Sequence, residues 1–387
     1  MEQNITFKKG SWRLNQDPNF NFQLNRVIMW DGGDEEELLR VGHTITDSRS
    51  WVKVMTGLAK KAEKEGRMEH AIGYWRMAEF FMYDGEEGKK ATYQKAADLF
   101  YQYYREYFER GMVERIQVPF QNGYLPVMHA KARGEVKDRI LLHGGNDSYY
   151  EELFFPMLYL AEQGFEVYLF EGPGQGGVLR IQNMKFHADW EKPVAAVLDD
   201  RKLSDVTIIG ASLGGYLAPR AAAFERRISR VVGWSIFPDF FHVILSDHPP
   251  VMTKVMERLF DLRFMEGPLN LFYRKMMSTN ELVRWNLLHG MYAYDAKSPS
   301  EYVRKIRKFT LRGIGDKIEQ DVLVIGAKED HFIHPRLFHE EYDLLTNVRS
   351  LTLKLFTEKQ MAGAHCNVGN SKLVLDGILN WIREVKQ

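Results

Sequence analysis

One cysteine, Cys366, in 387 residues excludes an intrachain disulfide framework and fits a reducing compartment. The chain has no run of about 20 apolar residues, so no membrane-spanning helix is expected. Its opening, MEQNITFKKGSW, lacks an apolar stretch of signal-peptide type. Charge of neither sign is in excess, because 52 Lys and Arg balance 52 Asp and Glu. No Lys/Arg block supplies the basic stripe that a polyanionic partner requires, which argues against nucleic-acid binding. These absences predict a cytoplasmic protein with neither nucleic acid nor membrane as partner. What remains is an ordinary globular composition, 45% apolar and 27% charged, on a chain long enough to bury a substantial core.

The patterning divides the chain into 1–111, 112–236, 237–320 and 321–387. The first part reads helical. Trp51, Met55, Leu58, Ala59 and Ala62 recur at helical spacing, as do Ala71, Ile72, Trp75, Ala78 and Phe81 after the break at Gly66. A third helix is expected over 91–110, with Ala97, Phe100, Tyr101, Tyr104 and Phe108 on one face. Helix, break, helix is similar to a tetratricopeptide-type hairpin. Without a clean repeat, a helical cap packed on the next part is preferred to a free-standing docking module.

From Met112 the character changes. Segments 113–119 and 124–132 read as a hairpin. Short apolar runs at 139–142, 166–170, 206–209, 230–234, 322–325 and 350–356 read as strands. Amphipathic segments at 150–163, 184–199 and 215–225 alternate with them. Strands apolar on both faces, alternating with helices, predict a mostly parallel sheet with helices on both sides. The stretch 237–320 interrupts the alternation as a helical insertion, rich in aromatics and in methionine (Met252, Met256, Met265, Met276, Met277 and Met291). Such an insertion either covers a ligand pocket or is ordinary core, methionine being a good gap-filler.

The strongest chemical signal is Gly210-Ala211-Ser212-Leu213-Gly214-Gly215, set between a strand-like and a helix-like segment. Small residues flank the serine because a sharp strand-to-helix turn has no room for larger ones. Such a turn exposes the serine Oγ, and the helix N-terminus behind it favours a developing oxyanion. Serine needs a base, and in this arrangement the chain order is nucleophile, acid, histidine. Asp330 sits just past the 322–325 strand, with the adjacent Glu329 as competitor. His365 lies in the Gly363-Ala364-His365-Cys366-Asn367 loop between the last strand and the final helix. Cys366 reads as a packed thiol. An oxyanion hole needs two backbone N–H groups. Leu213 is one candidate, and the other comes from His143-Gly144-Gly145-Asn146-Asp147, with Asn146 first and Gly145 second. The cluster Glu171-Gly172-Pro173-Gly174-Gln175-Gly176-Gly177 matches neither a dinucleotide fingerprint nor a P-loop, and no helix is expected to start in it. It reads as a shaped turn at a pocket rim. No cofactor and no metal is implied.

Gly144-Gly145-Asn146-Asp147-Ser148 with Glu151-Glu152-Leu153, the Glu171–Gly177 cluster, the Ser212 turn and the Gly-Ala-His-Cys loop together resemble one branch of the α/β hydrolases. That branch has a helical domain before the sheet and includes 2,6-dihydroxypseudooxynicotine hydrolase, fungal polyketide-shortening hydrolases and acylaminoacyl-peptidase-like proteins. The resemblance implies the α/β-hydrolase fold, a triad of Ser212, Asp330 and His365, an oxyanion contact from Asn146, and a homodimer through the helical regions. Carbon–carbon cleavage in the branch uses a further carboxylate, for which Asp239 is the candidate here. The reading is a serine hydrolase acting through an acyl-enzyme on a small, fairly apolar carbonyl substrate, an ester or a ketone. An acylaminoacyl or dipeptidyl exopeptidase is the first alternative, and a non-catalytic binding protein using the helical hairpins is the second.

Overall fold

The computed structural model describes residues 5–30 and 32–386. They form two compact units, one of residues 5–9, 110–253 and 306–386, the other of Gly10–Glu109 and Lys254–Lys305.

The first unit is built on one eight-stranded sheet. Its strands are β1 (Val113–Phe120), β2 (Gly123–Ala130), β3 (Asp138–His143), β4 (Phe165–Phe170), β5 (Val206–Ala211), β6 (Ile228–Trp234), β7 (Asp321–Ala327) and β8 (Ser350–Phe356). They lie in the order β1-β2-β4-β3-β5-β6-β7-β8. β2 pairs antiparallel with both β1 and β4, and every other pairing is parallel. Each strand expected from the sequence is present. β5 and β7 are buried at every residue, which requires cover on both faces and explains their unbroken apolar runs. Helices Phe154–Glu162, Glu191–Arg201, Gly214–Ala222 and Ser371–Val385 supply connections between strands and the closing segment.

Two local expectations fail here. The helix expected over 184–199 starts only at Glu191. The preceding stretch is held instead by the glycine turn, where Gly174 N–H donates to Met184 O (2.9 Å). Phe186 lies so close to Gly174 that a Cβ there would come within 2.1 Å of its ring. Tertiary contact overrides the amphipathic pattern. Conversely, a short helix, Gly176–Arg180, does start inside the glycine cluster. The Glu171 carboxylate accepts the Gly177 N–H (2.8 Å) and so satisfies one of the unpaired first-turn donors.

In the second unit, Ser48–Lys64 buries Trp51, Met55, Leu58, Ala59 and Ala62, the face read from the sequence. Met68–Phe80 buries Ala71, Ile72, Trp75 and Ala78. The third helix spans Glu87–Tyr103, breaks at Tyr104, and buries Lys89, Tyr93, Ala96 and Phe100 rather than the Ala97–Tyr101 face. Lys89 sets that rotation, because its ammonium reaches Met82 O (2.8 Å) and the carboxylates of Glu79 (3.3 Å) and Asp84 (3.9 Å). A lone lysine thus outranks the apolar pattern, since a buried charge must be paired. The insert helices Glu266–Thr279 and Glu281–Ala293 belong to the same unit. Trp285 rings Phe80 and Phe81, and His289 Nδ1 lies 2.8 Å from Asp84. No helix among the described residues is long and apolar enough to cross a membrane.

A buried carboxyl in the first unit gives a pH-dependent stability. Glu341, on the helix Leu337–Leu344, is fully buried; its Oε2 accepts the Phe237 N–H (2.9 Å) just past β6. Burial pushes this carboxyl from 4.5 up to about 8, against the lowering pull of the Phe237 N–H. The fold therefore holds a proton that the unfolded chain releases above its ordinary carboxyl pKa. Stability falls as pH rises from there towards 8. Glu341→Gln is expected to remove its share of that slope, about 1.4 kcal/mol per pH unit at most. Urea unfolding of both proteins at mildly acid and mildly alkaline pH checks it; equal slopes would rule out a protonated Glu341.

Candidate active site

The parallel strands bring the chemically marked loops to their shared C-terminal edge. β5 ends at Ala211, and Ser212 follows with φ of +60°, a left-handed conformation rare for a residue with a side chain. Ser212 N–H donates to Trp234 O at the end of β6 (3.2 Å), which anchors the turn. Gly210 has to be glycine, because a Cβ there would meet Gly214 O at 2.3 Å as the chain doubles back into the helix Gly214–Ala222.

Asp330 follows β7, and His365 arrives from the loop after β8. His365 Nε2 lies 2.9 Å from Ser212 Oγ, and His365 Nδ1 lies 2.7 Å from Asp330 Oδ2. The second Asp330 oxygen accepts the N–H groups of Phe332 (2.8 Å) and Ile333 (3.1 Å), so the carboxylate is held at both ends. The imidazole is buried, which disfavours an imidazolium; Asp330 first, and the adjacent Cys366 with it, outweigh this and raise His365 well above its ordinary 6.5. The loop is fixed in turn by Trp234 Nε1–H donating to Asn367 Oδ1 (2.9 Å) and by Asn367 Nδ2–H donating to Ala362 O (2.7 Å). Phe332 packs edge-on to the His365 ring at 5.1 Å.

The other candidate residues have partners of their own. Glu329 accepts the Glu358 N–H (3.0 Å) and braces the histidine loop through its own N–H to Gly363 O (2.9 Å). Asp239 caps the helix Phe240–Ile244 by accepting the His242 N–H (3.0 Å). Cys366 packs its thiol 3.8 Å from Ser235 Oγ and 3.9 Å from Trp234 O.

The loop after β3 passes the serine turn closely. A Cβ on Gly145 would sit 2.6 Å from Leu213 N and 2.8 Å from Ser212 Cβ, so only glycine allows this approach. Gly145 N–H donates to Ser148 Oγ (2.7 Å), which commits that donor within the loop. Asn146 follows it, with its side-chain amide on Asp147 (2.9 Å). The glycine cluster is not a rim. Glu171 and Gln175 are both buried, and Gln175 reaches the carbonyls of Gly144 and Gly145. Sequence reasoning missed this residue, although a lone polar side chain between obligatory glycines was a signal. Burial raises the Glu171 carboxyl to about 8, with Glu151 reinforcing the shift. Among the described residues, no group of three His, Cys, Asp or Glu side chains is placed to hold a metal ion.

A largely parallel sheet with a serine–histidine–aspartate row along its C-terminal edge defines the α/β hydrolases as a class. The profile of the alpha/beta hydrolase family matches residues 140–362, and the chain belongs to that family. Curated relatives cover most of it. The hydrolase acrC of Aspergillus aculeatus is 27% identical, over 82% of this chain and 84% of that protein. The 20-hydroxy-prefusarin hydrolase FUS2 of Gibberella moniliformis is 25% identical, over 94% and 95%. Among solved structures, 2,6-dihydroxy-pseudo-oxynicotine hydrolase shares the fold at a TM-score of 0.60 and 19% identity, over 92% of this chain and 94% of that one. AbyA5 does so at a TM-score of 0.63 and 18% identity, over 89% and 88%. The chain is thus a hydrolase of the α/β type.

Proposed function

We propose that the chain is a serine hydrolase that works through an acyl-enzyme. The observation that carries this is the continuous row Ser212 Oγ, His365 Nε2, His365 Nδ1, Asp330 Oδ2, at 2.9 Å and 2.7 Å. His365 takes the Ser212 proton as Oγ attacks a carbonyl carbon. The N–H groups of Leu213 and Asn146 hold the oxyanion, at the head of the helix Gly214–Ala222. Collapse expels the leaving group, which takes the proton from His365. Water, deprotonated by the same histidine, then releases the acid and restores Ser212.

The substrate is a small, fairly apolar carbonyl compound, cleaved at an ester bond or at a carbon–carbon bond beside a ketone. Two observations support this. Phe332 places an apolar ring edge-on to the base. The name of FUS2 assigns it a small molecule, 20-hydroxy-prefusarin.

A fluorophosphonate probe tests the mechanism. The wild type is expected to carry the adduct on Ser212, located by mass spectrometry, and Ser212→Ala to carry none. Absence of labelling on folded wild type would overturn the proposal. A panel of p-nitrophenyl esters, β-diketones and acyl-peptides then tests the substrate class. Cleavage confined to acyl-peptides would replace the small-molecule reading with an exopeptidase.

A further inference from the structure

We infer that Gln175, from the glycine turn after β4, is the positioning residue of the oxyanion hole, acting through the Gly145–Asn146 peptide; this rests on the Ser212 reading above. Gln175 is 1% exposed. Its Nε2 donates to both Gly144 O and Gly145 O, each at 2.9 Å, and its Oε1 accepts the Gly172 N–H at 2.9 Å. This set fixes the orientation of the amide, because the flipped form would set an oxygen against two carbonyls and an NH₂ against an N–H. Both amide hydrogens and the oxygen are thereby used.

The consequence follows from peptide geometry. No peptide bond among the described residues is cis, and in a trans peptide the C=O and the next N–H point in opposite directions. A carbonyl of Gly145 pinned to Gln175 sends the Asn146 N–H away from Gln175. The Gly144 carbonyl, pinned by Gln175 and by His143 Nδ1–H (2.9 Å), likewise sends the Gly145 N–H to Ser148 Oγ (2.7 Å). His143 Nδ1 donates there because a carbonyl only accepts; burial lowers the His143 pKa to about 4 and keeps the ring neutral. The loop faces the serine turn at Gly145, where a Cβ would touch Leu213 N and Ser212 Cβ. The Asn146 N–H is therefore fixed in direction, away from Gln175, before any substrate arrives, and the bond to Gly145 O polarises it further. A donor fixed in advance costs no reorganisation when charge develops, which is where an oxyanion hole gains its effect.

Gln175→Leu removes the donors. Gln175→Met keeps the side-chain length and removes both donors without burying a charge, and it serves where the leucine variant does not fold. The full-length proteins are compared below their melting temperatures. With p-nitrophenyl butyrate, kcat is expected to fall about 10- to 100-fold with KM within about twofold, a partial form of losing one oxyanion donor. The second-order rate of fluorophosphonate labelling and the affinity for a trifluoromethyl ketone should fall in parallel, with the rising limb of the pH profile unmoved. A role confined to folding would lower the melting temperature and leave the labelling rate of folded protein intact. Variants that match the wild-type rate, lose activity through KM alone, or shift the pH limb overturn the inference. If the wild type labels at Ser212 and the variants keep its rate, only the role of Gln175 falls; if the wild type does not label, the serine-hydrolase reading falls first.

Discussion

Ser212→Ala is expected to lower turnover by ~10⁴–10⁶-fold, and His365→Ala and the double variant are expected to reach the same floor. The reason is geometric. A base without its nucleophile has no proton to take, and a hydroxyl without its base is not activated, so the second removal has nothing left to destroy. Steady-state kcat on an activated ester checks this, and losses that multiply in the double variant would mean that the two residues work separately. Asp330→Asn should cost ~10⁴-fold for a reason visible in the hydrogen bonds. Asp330 Oδ1 is held by the N–H groups of Phe332 and Ile333, so an asparagine keeps its oxygen there and turns its NH₂ towards His365 Nδ1. The imidazole then carries its proton on Nε2, facing Ser212, and can no longer accept one. Loss of the carboxylate charge also removes the largest of the pulls that raise the His365 pKa, the rest coming from Cys366. Activity needs neutral imidazole and rises with pH through that pKa, so the residual rising limb moves to lower pH in Asp330→Asn. A limb that stays in place would show that Asp330 does not set it.

The strands and the serine–histidine–aspartate row were legible in the sequence for one reason. Both rest on local chemistry that tertiary contacts reinforce. A strand buried on both faces, such as β7, must be mostly apolar, and a chain that doubles back at a serine with φ of +60° must have glycine at 210. Failures came where a distant partner decided the outcome. Phe186 and the Gly174 N–H hold 184–189 out of the helix its spacing suggested. Lys89 turned the helix Glu87–Tyr103 onto a different face, because its partners lie in the preceding helix and loop. Gln175 was missed for the same reason, since its glycine setting marked the residue without pointing to its partners. Its partners Gly144 and Gly145 are about 30 residues earlier and carry no side chain to advertise the contact. The choice between Asn146 and Gly145 was also open in the sequence, and the Ser148 hydroxyl that occupies the Gly145 N–H bears on it.

At the opposite, N-terminal edge of the sheet, a buried charge cluster gives the largest expected stability effect. Asp138 begins β3, Thr207 lies on β5 and Arg230 on β6. Arg230 donates to Asp138 through two nitrogens, at 3.2 Å and 3.0 Å, and to Thr207 Oγ1 at 2.9 Å. Thr207 in turn donates its hydroxyl to Asp138 (2.6 Å). The side chains of Arg230 and Asp138 are only 6% and 2% exposed. Removing one partner strands the other in a poorly solvated site. Asp138→Ala or Arg230→Ala is therefore expected to cost about 3–5 kcal/mol, measured by urea unfolding. Each keeps a half-measure of compensation, Arg230 in the largely exposed Asp205 and Asp138 in Lys386 Nζ (3.1 Å), so both single removals should lie towards the lower end of the range. The paired change Asp138→Leu with Arg230→Met should cost less than either single removal, because the charges left without a partner, Asp205 and Lys386, reach solvent and apolar volume fills the buried site. A single variant that costs under ~1 kcal/mol would mean that water already reaches the cluster. The folded fraction of each variant should keep its wild-type kcat, since the C-terminal edge draws its geometry from β3, β5, β6 and β7 beyond the cluster. If kcat falls with stability, the two ends of those strands are mechanically coupled, and the sheet transmits strain from its charged base to the serine turn.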